Sequence, residues 1–183
     1  MNTKKASVPL RDMVNIAVFA AVLCAVAPIS VSIGPIPISF ATLVIYLAAG
    51  SLGWKYGVAS VSIYVALGAF GLPVFSNFEG GFHKIAGITG GFIVGYVPLA
   101  LATGLFSEIS IGSRLKIAIG MAIGTILLYT CGVAWFMLQT KATLATALTA
   151  CVFPFLIGDS IKIAAASAIA PRLRKAMNDK PLR

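Results

Sequence analysis

In the run Pro154-Phe155-Leu156-Ile157-Gly158-Asp159-Ser160-Ile161-Lys162, a carboxylate and an ammonium stand three residues apart in otherwise apolar sequence. On a helix, positions i and i+3 share a face, so Asp159 and Lys162 point the same way. Ionisable groups in a membrane span are costly and mark functional sites by default. The plainer alternative is mutual neutralisation, or Lys162 snorkelling to the nearer interface. A site with one acid and one base suits a small polar ligand that carries both an N–H donor and a carboxylate. A second polar cluster is Asn77-Phe78-Glu79-Gly80-Gly81-Phe82-His83-Lys84, followed by Gly87-Ile88-Thr89-Gly90-Gly91. Asn77, Lys84 and Thr89 bring hydrogen-bonding groups there, and paired glycines permit close backbone approach. The cluster reads as a lid over a pocket, although Gly90 and Gly91 equally suit tight helix packing. His83 is a solvated loop residue rather than a metal ligand, and no metal is expected. A third feature is the Ala17-x-x-x-Ala21 step, repeated at Ala25, a smooth strip on which another helix can come close.

Composition decides what must hold these residues. Of 183 residues, 59% are hydrophobic and 10% charged, against about a quarter charged in a soluble domain. A bilayer crossing takes about 20 apolar residues. Six crossings would nearly exhaust the chain and leave no room for a soluble catalytic or nucleotide-binding domain. The expected fold is an all-α membrane protein, a compact six-transmembrane-helix bundle in one domain. The expected spans are residues 13–33, 38–52, 56–72, 85–106, 115–138 and 143–170, with a basic cytoplasmic tail over 171–183. The first run is too long for the core of a cleaved signal and is expected to remain as a span. The second is short. Non-helical chain is expected before it, around Gly34-Pro35-Ile36-Pro37, and such chain is tolerated at membrane depth only where it lines a cavity or is packed by protein.

The net charge of +9 would suggest nucleic acid in a soluble protein. Here it reports orientation, because cytoplasmic loops collect Lys and Arg. One side would hold Lys4, Lys5, Arg11, Lys55, Arg114, Lys116, Arg172, Arg174, Lys175, Lys180 and Arg183, and the other Lys84 and Lys141. Both termini are therefore expected in the cytoplasm, with the 73–84 loop outside and Lys162 left within a span. Cys24, Cys131 and Cys151 lie in apolar runs without metal spacing and read as small hydrophobes.

The ordered blocks of the chain resemble the BioY family, the biotin-binding S-components of energy-coupling factor transporters. They are Gly34-Pro35-Ile36-Pro37-Ile38-Ser39, Leu47 to Gly57, Ala66 to Phe75, Gly87-Ile88-Thr89-Gly90-Gly91-Phe92, Gly132-Val133-Ala134-Trp135 and the Pro154 to Lys162 block. Together they cover nearly the whole chain. The family often reads Gly-Pro-Thr-Gly-Gly at 87–91 and a glycine- and arginine-rich loop at 77–81, where this chain differs. The resemblance implies a membrane-embedded binding protein that captures biotin from outside. It implies surrounding lipid, a transmembrane coupling subunit and two ATPase subunits as partners, with Ala17 and Ala21 on the coupling face. It also implies a substrate set of Asp159, Lys162, Asn77, Lys84, Thr89, Gly90, Gly91 and Phe40. Asp159 would accept ureido N–H groups, while Lys162 or Lys84 meets the carboxylate. No cofactor is expected beyond biotin as cargo. A phosphate loop is absent, so any ATP dependence would come from partners. Two other readings compete: a self-sufficient proton-driven transporter of biotin or a related acid such as lipoate, and an intramembrane enzyme. Against the enzyme stand a single histidine, no HExxH motif and no second intramembrane carboxylate.

Overall fold

The computed structural model describes residues 9–32, 34–109 and 113–178. Lys4, Lys5, Lys180 and Arg183, which entered the charge count, lie outside the described residues, as does Ile33. The order is α1 (Leu10–Val26), β1 (Ser30–Val31), β2 (Ile38–Ser39), α2 (Ala41–Leu52), α3 (Trp54–Ala69), α4 (Phe82–Ala86), α5 (Gly90–Ile109), α6 (Arg114–Thr140), α7 (Leu144–Cys151) and α8 (Phe153–Asn178). A 3-10 turn at Ser76–Phe78 lies between α3 and α4.

Breaks fall where the backbone is chemically interrupted. The first apolar run stays helical only to Val26; Ala27 still has helical φ and ψ and donates to the Leu23 carbonyl, but Pro28 has no N–H to continue the ladder. The chain then forms the antiparallel β1–β2 hairpin, with Ser30 opposite Ser39, and α2 begins after it. The fourth expected span divides at Gly87–Thr89 into α4 and α5. The sixth divides at Val152 into α7 and α8. Pro154 sits in the first turn of α8, where its missing N–H goes unnoticed. Residues 171–178, expected as tail, continue α8 as helix.

α5 and α6 make the most extensive helix pair, followed by α2 with α8. Small residues permit the first seam. A Cβ on Gly91 would strike the Trp135 side chain and the Cys131 carbonyl of α6. At the α2–α3 turn, Gly53 has φ +84°, and its amide neighbour Trp54 donates to Glu108 Oε1 (3.1 Å). At the same end of the bundle, Arg174 Nη1 donates to the Ser107 carbonyl (2.8 Å), and Ser107 Oγ to the Gly50 carbonyl (2.5 Å). These bonds tie the ends of α2, α5 and α8 beside Lys55 and Arg174. The hairpin, the 3-10 turn and α4 form the opposite end, where Gln139 Nε2 donates to the Ala86 carbonyl (2.8 Å). Between the two ends lies an aliphatic and aromatic core that includes Leu23, Ile45, Tyr64, Leu99, Met121 and Leu128.

Candidate functional site

Two cavities, one above the other, lead from the hairpin end into the bundle. The outer one, about 280 Å³, is lined by the hairpin turn, the 3-10 turn, α4 and the start of α5, including Asn77, Glu79, Lys84, Thr89 and Tyr96. The inner one, about 40 Å³, is lined by Ser39, Thr42, Leu128, Tyr129, Asp159 and Lys162 among others. Ile36, Pro37, Phe92 and Tyr96 line both. They form an apolar waist, and Phe155 of α8 stacks on Phe92 at a centroid distance of 6.4 Å.

The inner floor is a polar cluster built from three helices and the hairpin. Asp159 is 4% exposed. Its Oδ2 accepts from Tyr129 Oη (2.6 Å) on α6. Its Oδ1 accepts from Thr42 Oγ1 (3.2 Å) on α2 and from Lys162 Nζ (3.1 Å), one turn on along α8. Lys162 Nζ also donates to the Ser39 carbonyl (2.8 Å) and to Thr42 Oγ1 (3.0 Å). An ammonium has three N–H donors, so Lys162 is saturated by protein. A carboxylate has about four lone-pair positions, three of which are used here, so Asp159 keeps acceptor capacity at Oδ2. One helical turn from Thr42 and Tyr129 along α2 and α6, Tyr46 Oη and Thr125 Oγ1 lie 2.5 Å apart. The four hydroxyls thus sit at i and i+4 on two facing helices.

The outer polar groups bond mainly among loops. Asn77, at φ +63°, receives Ser30 Oγ on its Oδ1 (2.8 Å), while its Nδ2 donates to Ser32 Oγ (3.1 Å) and its backbone N–H to Ser30 Oγ (3.0 Å). It latches the 3-10 turn to the hairpin. Lys84 forms an ion pair with Glu79 across the turn into α4. Thr89 lies at the rim, its hydroxyl 3.4 Å from the Lys84 carbonyl.

Asp159 and Lys162 come together as their spacing requires, and Asn77, Lys84 and Thr89 gather above them. Gly90 and Gly91 are instead buried in the seam between α5 and α6. Their lack of a side chain admits Trp135, whose Nε1 donates to the Gly87 carbonyl (2.9 Å). Phe40, half exposed where α2 begins, is not among the described residues lining either cavity. Ala17, Ala21 and Ala25 are exposed along α1, while Ala20 and Leu23 bury its other face.

The BioY family model matches residues 1–179. The chain belongs to the BioY family. It is 36% identical over 167 residues to the biotin transporter BioY of Thermotoga maritima, covering 91% of this chain and 97% of that one. It is 33% identical to the biotin transporter BioY of Rhodobacter capsulatus, covering 87% and 91%. Among solved structures it matches the crystal structure of the S-component for biotin from an ECF-type ABC transporter, with a TM-score of 0.84 and 28% identity over 93% of this chain and 95% of that one. This BioY-family chain is a multi-pass cell-membrane protein of a transporter family, not an enzyme family. Among the described residues, three helices, α5, α6 and α8, are long and apolar enough to cross a bilayer, and α2 is a shorter apolar helix.

The contributions of Thr42, Tyr129 and the Ser39 carbonyl to the Asp159 cluster were not anticipated from sequence. The available signal was the repeat of hydroxyl residues at i and i+4 in two apolar runs, Thr42 with Tyr46 and Thr125 with Tyr129. Each pair marks one helical face.

Proposed function

We propose that this chain is the substrate-binding S-component of an energy-coupling factor transporter and captures biotin from the outer side. The observation that carries this reading is the buried Asp159 cluster at the foot of two linked cavities. It offers an acceptor at Oδ2 beneath a waist of apolar and aromatic groups. The ureido N–H of biotin supplies the complementary donor, and the thiophane ring and valerate chain suit the apolar waist. Because the three donors of Lys162 are committed to Asp159, Thr42 and Ser39, Lys84 at the outer mouth is the lysine that meets the valerate carboxylate. Asn77 and Thr89 border the same mouth.

Six membrane crossings with both termini in the cytoplasm fit this role. Lys55 and Arg174 lie at the end opposite the cavity mouth, in agreement with the usual cytoplasmic bias of basic residues. The exposed Ala17 and Ala21 face of α1 would receive a transmembrane coupling subunit, itself driven by two ATPase subunits.

The test is titration of the purified protein in detergent with biotin and with lipoate, alongside mass spectrometry of whatever small molecule copurifies. Biotin binds tightly, lipoate binds weakly, and Asp159→Asn loses most of the affinity. Unchanged binding in Asp159→Asn removes the pocket assignment. Uptake by liposomes that contain this chain alone under a proton gradient would replace the partner-driven reading with a self-sufficient one.

A further inference from the structure

The ion pair at the cavity mouth uses the same cation that the ligand's carboxylate needs. Glu79 and Lys84 both line the outer cavity, and their side chains are 43% and 29% exposed. Glu79 is fixed in the backbone: the Phe75 N–H donates to its carbonyl (2.8 Å). Phe75 in turn is buried edge-on to Tyr64. Two residues on, the Gly81 N–H donates to the Gly68 carbonyl (2.7 Å). The Glu79 carboxylate therefore sits on an anchored turn, yet its side chain is free to change rotamer toward water. A half-exposed pair of this kind is weak and exchangeable. A second carboxylate arriving at Lys84 cannot share the ammonium with Glu79 without placing two like charges side by side.

We propose that Glu79 is an internal stand-in for the ligand's carboxylate, holding Lys84 in the empty protein and releasing it when a carboxylate enters the mouth. This rests on the biotin reading above and adds a residue to it that sets specificity. A ligand with a carboxylate must displace Glu79 and gains Lys84. A ligand without one leaves the pair intact and gains nothing at the mouth. Glu79 thus lowers the affinity for acids while leaving neutral analogues alone. It acts through Lys84, as a positioning residue.

Calorimetric titration of the detergent-solubilised full chain with biotin and with its neutral amide separates the possibilities. In Glu79→Gln, the affinity for biotin rises by about threefold, the scale of a half-exposed ion pair, and the affinity for the amide does not change. In a Lys84→Met background, Glu79→Gln has no effect on either ligand. Equal changes for acid and amide would mean that Glu79 only shapes the turn, and would overturn the proposal. So would weaker biotin binding in Glu79→Gln, or a gain that survives Lys84→Met, which would be general charge repulsion rather than exchange. If Glu79→Gln does not fold, Glu79→Ser is read in the same two titrations: affinity for biotin rises by about threefold and affinity for the amide does not change, and equal changes for both overturn the proposal. Failure of the unaltered chain to bind biotin overturns the underlying reading, and the inference with it, in the first titration.

Discussion

The floor and the mouth of the cavity handle charge in opposite ways. At the floor, Asp159 and Lys162 are bonded by side chains and a carbonyl from α2, α6 and the end of the hairpin, and Asp159 is almost wholly buried. At the mouth, Glu79 and Lys84 bond to one another in partial contact with solvent, and Asn77 bonds to two serines of a neighbouring loop. Removing one partner of a buried pair strands a charge that water cannot reach. Removing one partner of an exposed pair returns the other to water and is nearly neutral. On the proposed reading, the floor would serve as a fixed template for the ligand and the mouth as an exchangeable set of contacts.

That contrast can be broken by mutation. The largest effect is expected from Asp159→Asn, which leaves Lys162 buried without its counter-ion and should lower biotin affinity by about two to three orders of magnitude. Titration calorimetry on protein that stays monodisperse checks it, and a loss below tenfold would put the floor on a level with the mouth. Next comes Tyr129→Phe, which keeps the ring but deletes the 2.6 Å bond to Asp159. One hydrogen bond to a charged group contributes about 1.5–3 kcal/mol, so the affinity should fall by about ten- to a hundredfold. Lys84→Met should weaken biotin binding by only about three- to tenfold at low salt. That loss should shrink toward nothing in 1 M salt, where the Debye length is about 3 Å, while the Asp159→Asn loss persists. Equal salt dependence at the two positions would erase the distinction. The smallest effect on binding belongs to Ala21→Trp on the exposed face of α1. Biotin affinity should be unchanged, and biotin uptake by cells that also express the coupling and ATPase subunits should fall sharply.

The legibility of the site in the sequence followed the cost of burial. Asp159 and Lys162 stood out because charges inside an apolar run are expensive and therefore rare. Hydroxyl residues are cheaper, and most of those in the helices simply bond back along their own backbone, as Ser51, Ser60, Thr130 and Thr140 do. Thr42 and Tyr129, which reach Asp159, are marked locally only by their i, i+4 pairing with Tyr46 and Thr125. Gly90 and Gly91 were open to two readings, and the position of Trp135 on α6 puts them in a packing seam. The run from residue 143 to 170 is continuous by hydropathy, yet the helix breaks at Val152 and restarts with Pro154 in the first turn of α8, which carries Asp159.

The sequence by itself determined that this chain lives in a membrane, that it is helical, and that one acid and one base within it share a face. Those follow from composition and from the period of the helix, which act along the chain. Only the tertiary structure decided which residues satisfy that acid and base. Ser39, Thr42 and Tyr129 are far from Asp159 in sequence, and only the packing of α2, α6 and α8 brings their polar atoms to hydrogen-bonding distance.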